Sequence, residues 1–227
     1  DQSLDDLRTI LDVAAALRDD DPRCRRLPDG SWTLKETAAT TGTPLERAEF
    51  VVVDVETTGF APPADRVIEV GMVRVAGGRV VDSWDSLINP RRSLPGPITS
   101  LTGISHVMVA GQPTFEQVCG RFVDFLGDSV FVAHNAPFDC RFVQNEMILS
   151  RGRKLLNRKL CTRALAHRLV PELSRRGLDE VARFFNLSFD DNRHRALGDA
   201  EVTAVVLLRL CERAADRGIL TLEGLFE

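Results

Sequence analysis

Nowhere in the 227 residues is there a run of about 18 uninterrupted apolar residues, so a membrane-spanning helix is not expected. Cysteine is sparse and scattered: Cys24, Cys119, Cys140, Cys161 and Cys211 contain no C-x-x-C pair and are odd in number. That argues against a disulfide framework and against a thiolate zinc site, and a reducing cytoplasm is the expected compartment. Lysine is nearly absent, with Lys35, Lys154 and Lys159 against 26 arginines, a bias that genomic composition explains as readily as recognition. Excess positive charge is missing too. The net charge is -4 and the pI about 5.7, so a nucleic-acid partner would have to be held by local features. The opening "DQSLDDLRTILDVAAAL" has no basic start, apolar signal core or small-residue cleavage site, so no secretory segment is expected. It has no initiator Met either, which suggests a piece of a longer protein. Internal repeats and low-complexity tracts are also lacking. What remains is an ordinary soluble composition, 44% hydrophobic and 27% charged, long enough for one main domain and an appendage.

Apolar residues recur at helical spacing over residues 4 to 18, from Leu4 through Leu7, Ile10, Leu11 and Ala14 to Leu17, and predict a first helix. In "RCRRLPDGSWTL" the PDG separates two short segments and reads as a hairpin turn. A helix plus a hairpin is part of a winged-helix pattern. "ATTGTPLERAE" (39 to 49) reads as a linker, after which the pattern turns to strands. "FVVVDVE" is apolar almost throughout, as a strand covered on both faces should be, and "RVIEVGMVRV", "AGG" and "RVVDSWDSLI" form strand, turn and strand. Residues 114 to 127 look helical, 129 to 135 form another buried strand, and 136 to 152 form a helix ending at Gly152. Helices are expected at about 160 to 170, 177 to 186 and 195 to 213. This order implies an α/β fold, a mixed sheet with helices on its faces.

Within "FVVVDVETTGF", Asp54 and Glu56 project from the same face of their strand while Val53 and Val55 point away. Two buried like charges raise one another's pKa unless something compensates, and nothing basic lies between Phe50 and Phe60. A hard divalent cation is the economical solution, and carboxylate oxygens suit magnesium or manganese better than zinc. The alternative is a strand acid that simply meets water at a sheet end. Thr57 and Thr58 can offer hydroxyls or amides there, and Gly59 permits a positive φ and the close approach of a ligand. In "VAHNAPFDCRFV", Asp139 falls in the first turn of a helix, where the helix dipole alone would favour an acid. However, His134, Asn135 and Phe138 crowd the same strand end, where α/β sheets place ligand sites. In "NRHRALGDAEVTAVVLLRL", Asp199 opens the last helix on a face shared with Thr203 and Val206, and His194 reaches in from the preceding loop.

The three segments "DVETTG", "HNAPFD" and "HRALGDAEVT" resemble the three exonuclease motifs of the DnaQ-like family. These are the DEDDh 3'-5' exonucleases, which include the proofreading ε subunit of bacterial DNA polymerase III. The likeness covers roughly residues 48 to 213, in order and with compatible spacing, and "LTGISHVMVAGQPTFEQV" resembles the segment between the first two motifs. It implies a ribonuclease H-like fold for residues 48 to 213, with 1 to 47 as an N-terminal extension and 214 to 227 as a tail. It further implies that Asp54, Glu56, Asp139 and Asp199 hold two Mg2+ or Mn2+ ions. His194 would be the general base, imidazole being a base suited to neutral pH. Family positions that hold the terminal nucleotide correspond to Thr57, Thr58, Gly59, Phe60, His134, Asn135 and Phe138. Phe60 would stack on a base unless it is an ordinary core aromatic, and His134 and Asn135 could instead fix their loop. His106 and His167 are left as structural or surface residues.

The implied activity is hydrolysis of DNA from single-stranded or frayed 3' ends, releasing nucleoside 5'-monophosphates in replication proofreading or repair. A polymerase or repair assembly would be the partner. An exoribonuclease of the same fold and a non-catalytic nucleic-acid-binding module are the alternatives. One local patch suits phosphate: "RGRKLLNRKLCTRALAHR" (151 to 168) carries seven basic residues and no acid, although a solvated face explains it equally well.

Overall fold

The computed structural model describes residues 24–26, 32–34, 42–187 and 194–227, so the helix expected over 4 to 18 lies outside the described residues. The two segments flanking PDG are strands β1 (Cys24–Arg26) and β2 (Trp32–Leu34), paired antiparallel with Cys24 opposite Leu34. The main sheet is built on β3 (Phe50–Thr57), and its order is β5-β4-β3-β6-β7. β4 (Val67–Ala76) and β5 (Arg79–Leu87) extend it antiparallel on one side. β6 (Val130–Ala133) and β7 (Lys159–Cys161) extend it parallel on the other. The continuous valines place β3 in the middle. Val51, Val52 and Val53 are wholly buried, as a strand covered on both faces requires.

Alternation along β3 sorts these residues between two cores. Val51, Val53 and Val55 pack with Phe122 of α3 (Phe115–Leu126) and Phe142 of α4 (Ala136–Arg151). Val52 packs on the other face with Ala204 and Leu207 of α7 (Ala196–Ala215), beside α5 (Thr162–Leu169) and α6 (Leu178–Phe184). Phe122, Phe131 and Phe142 are essentially solvent-free, each contributing about 1.5–3 kcal/mol by burial. Helix α4 is flanked by Asn135, its N-cap, which adopts a left-handed conformation, and by Gly152 (φ 65°), whose amide bonds the carbonyl of Ile148. The mixed sheet flanked by helices is the architecture expected from the order of strands and helices.

Three short elements escaped the sequence reading. Helices α1 (Gly96–Thr102) and α2 (His106–Ala110) supply Ile98 and Val109, and the link between them Ile104, to a small core around Ile68 of β4. Each is too short to display a helical period. The helix expected from about 160 begins at Thr162, because residues 159–161 pair with β6 as β7. Near the chain's end, Leu222 and Leu225 are buried, and the amide of Leu222 bonds the carbonyl of Thr43. Among the described residues no helix is long and apolar enough to cross a membrane.

Gly71 of β4 lies opposite Asp54 in the antiparallel register, and a Cβ there would overlap the backbone of Ala196 and Leu197 at the start of α7. The missing side chain is what lets α7 come down onto the sheet. Gly71→Ala is therefore expected to destabilise the fold by about 1–3 kcal/mol, the usual penalty for overpacking, read as a lowered melting temperature.

Candidate active site

The register that buries Val51, Val53 and Val55 under α3 and α4 turns Asp54 and Glu56 toward α7. Asp199 sits in the first turn of α7, so the close approach at Gly71 brings it to the two strand acids. Carboxylate oxygens of Asp54, Glu56 and Asp199 all lie within 4.8 Å of one another, and each side chain is half-buried. Asp139, in the first turn of α4, does not belong to that trio. It is buried, and its Oδ1 accepts from the amide of Val55, the residue between Asp54 and Glu56, at 3.3 Å.

The crowding appears in the proton affinities. Burial pushes the Glu56 carboxyl up to about 8, with the charges of Asp199, Glu69 and Asp139 adding to the effect and Arg195 opposing it. Asp139 is also raised, by burial, against the lowering effect of its backbone hydrogen bonds. An all-oxygen donor set that must otherwise hold protons near neutral pH fits hard divalent cations. His194 is exposed on the turn before α7, with a left-handed backbone (φ 63°), in the loop position expected of it.

The loop after β3 is held by its own side chains. Thr57 and Thr58 are buried, and the Thr57 hydroxyl donates to the carbonyl of Gly59 at 2.6 Å. The Thr58 hydroxyl donates to Asp65 at 3.2 Å and accepts from the amide of Arg66 at 3.0 Å. Gly59 corrects one expectation. It is not among the positive-φ residues; a Cβ there would instead strike the Asp65 carboxylate, so the glycine serves close packing within the loop. Phe60 at the loop's tip is 74% exposed, which removes the reading of it as a core aromatic. On the β6 side, His134 is pinned at both nitrogens, Nδ1 to the Thr162 hydroxyl at 2.9 Å and Nε2 donating to the carbonyl of Arg176 at 3.0 Å. Asn135 is exposed, and Phe138 packs on Phe142 with ring centroids 5.0 Å apart.

Two buried acids were not singled out from the sequence. Glu69, opposite Glu56 in the register, accepts from Arg195 Nε at 3.0 Å and from the amide of Ala196 at 2.9 Å. Glu146 of α4 takes a bidentate pair from Arg66, both bonds at 2.7 Å. Glu69 sits in the apolar run "RVIEVG", the same anomaly that marked Asp54 and Glu56, and that signal could have found it. Glu69 thereby fixes the start of α7 to β4, and Glu146 fixes the end of the Phe60 loop to α4.

Comparison with known proteins covers the stretch of chain that carries this site. A family model described as exonuclease, of the RNase T type, matches residues 51–207. The chain is 42% identical over 159 residues to a PolC-type DNA polymerase III of Clostridium perfringens, an alignment covering 70% of this chain and 11% of that protein. It is 39% identical over 164 residues to the DNA polymerase III subunit epsilon of Aquifex aeolicus, covering 72% and 80% respectively. Among solved structures it is similar to Exonuclease X in complex with 5' overhanging duplex DNA, at 26% identity and a TM-score of 0.62, covering 73% of this chain and 93% of that one. The chain thus spans only a small part of the PolC-type relative and most of the epsilon relative.

Two outcomes follow from the electrostatics. Folded Glu56 keeps its proton up to about pH 8, while the unfolded group releases it near 4.5, so ion-free stability is full below about 4.5 and falls as pH rises toward 8. Melting in chelator should show that decline, Glu56→Gln should flatten it, and stabilisation by added Mg2+ or Mn2+ should grow over the same window as ions displace protons. Glu69→Ala leaves Arg195 and the Ala196 amide unmatched, with an expected loss of about 1–3 kcal/mol in denaturant unfolding.

Proposed function

Since this chain belongs to the exonuclease family, we propose that it shortens DNA from single-stranded or frayed 3' ends, releasing nucleoside 5'-monophosphates, as a proofreading or repair nuclease. The observation that carries this reading is the trio Asp54, Glu56 and Asp199 within 4.8 Å, with Asp139 bonded to the strand between the first two. Catalysis is assigned to residues 48 to 213, with 1 to 47 and 214 to 227 as flanking segments. A DNA polymerase assembly in the cytoplasm is the natural setting, given the likeness to the Aquifex aeolicus epsilon subunit.

Asp54, Glu56, Asp139 and Asp199 are the proposed ligands of two divalent ions, Mg2+ or Mn2+. When bound, such a pair supplies positive charge against the negative charge that develops during in-line displacement at phosphorus. The protein's own groups do the rest. His194, exposed and ahead of α7, takes the proton of the attacking water, whose oxygen forms the new bond to phosphorus. The bond to the 3' oxygen of the penultimate nucleotide breaks, and that oxygen leaves with a proton from solvent. The pinned loop of Thr57, Thr58 and Gly59 presents its backbone to the terminal nucleotide, and Phe60 stacks on a base. Such stacking accepts any base identity and contributes about 1–3 kcal/mol. Asn135 and Phe138 border the same space from α4. His134, with both nitrogens engaged, holds the β6 end in place for them.

Deoxyoligonucleotides labelled at the 5' end should yield a ladder shortening from the 3' end with Mg2+ or Mn2+, and a matched oligoribonucleotide should be cut more slowly. Asp54→Ala should abolish the ladder. Equal turnover by that variant and the parent protein would show that the assigned site is wrong. Phe60→Ala should raise KM by about tenfold while leaving the fold intact, consistent with a lost stacking contact.

A further inference from the structure

The parallel strands β3, β6 and β7 all end at the same edge of the sheet, which gives the candidate site a neighbour. Asp54 and Glu56 lie toward the end of β3, and a cleft of about 740 Å³ opens beyond the end of β7. Its walls include Asn135 and Pro137 at the start of α4, Arg163 and His167 on α5, and Arg175 and Arg176 from the segment before α6. Val52 pairs with Val132 and Cys161 pairs with Ala133, so the end of β7 is level with the part of β3 just before Asp54, and at about 4.8 Å per strand it lies roughly 10 Å across the sheet from there. That is the distance scale of a neighbouring nucleotide.

The charge of this cleft departs from that of the molecule. The chain as a whole is at -4, yet three arginines line the cleft against one acid, Glu180. Arg163 and Arg175 are exposed, and Arg176 is half-buried with its Nε shielded from solvent and without a hydrogen-bond partner among the described residues. The Arg176 carbonyl accepts from His134, which fixes the arginine segment to the end of β6, two residues before the start of α4. Arginine guanidinium groups around an open groove suit phosphate oxygens, and a groove lined by three arginines and no Phe or Trp is better suited to a backbone than to stacked bases.

We propose that this cleft is the track for the substrate strand, with Arg163, Arg175 and Arg176 contacting phosphodiesters on the 5' side of the scissile bond. The assignment rests on the exonuclease reading and extends it. It concerns the binding of strand length, whereas the acids handle the bond that breaks.

The dinucleotide d(TpT), whose sole phosphodiester is the scissile one, separates the two roles when compared with an oligothymidylate of about 12 nucleotides. The triple variant Arg163→Ala, Arg175→Ala, Arg176→Ala is expected to raise KM for the oligonucleotide about tenfold and to make its salt dependence shallower by about two units of slope. Its kcat/KM on d(TpT) should stay near that of the parent. Should the triple variant fold poorly, Ala164→Glu carries the same test. It adds a negative charge at an exposed helical position on the cleft wall without removing any arginine, and it too should weaken only the longer substrate. Unchanged oligonucleotide KM and salt slope in a folded variant that cuts d(TpT) normally would overturn the track. A parent protein inert toward both substrates would instead overturn the exonuclease reading beneath it.

Discussion

Carboxylates repel one another, and a half-buried pocket strengthens that repulsion because little water screens it. Asp54, Glu56 and Asp199 are nevertheless held within 4.8 Å, with Asp139 beside them, and burial, reinforced by the neighbouring acids, pushes the Glu56 carboxyl up to about 8. No group in that trio favours the arrangement. Rigidity around it does, and much of the scaffold can be understood as whatever keeps these chain segments from relaxing apart.

The restraint is distributed. Gly71 removes the side chain that would hold α7 off the sheet, and Glu69 then ties the start of that helix down through Arg195 and the Ala196 amide. Glu146 does for the Phe60 loop what Glu69 does for α7, gripping Arg66 with two bonds from the opposite face. These two acids are the most deeply buried glutamates described, at 1% exposure each, and both are matched by arginine. The contrast with Glu56 is instructive: the two buried glutamates each face an arginine, whereas half-buried Glu56 faces other acids, an arrangement that suits a cation.

Much of this was legible in the sequence because it depends on local periods. Alternation along β3 put Asp54 and Glu56 on one face, and position in a first helical turn placed Asp139 and Asp199. The supporting residues were harder to see because their roles are defined by partners far along the chain. Glu146 is an unremarked helical glutamate until Arg66 is found beside it, and Gly71 is a strand glycine until α7 arrives. Gly59 shows the reverse failure. A turn glycine invites a left-handed backbone, yet here the demand is steric, set by the Asp65 carboxylate. Helices α1 and α2 and strand β7 were missed for brevity alone.

The dependence on α7 also has a bearing on synthesis. The ribosome releases the chain from its N-terminus, so β3 emerges with two of the acids long before the helix carrying Asp199. A nascent chain therefore carries Asp54 and Glu56 without Asp199 until α7 has been made, so the three carboxylates can be brought together only after that helix has left the ribosome.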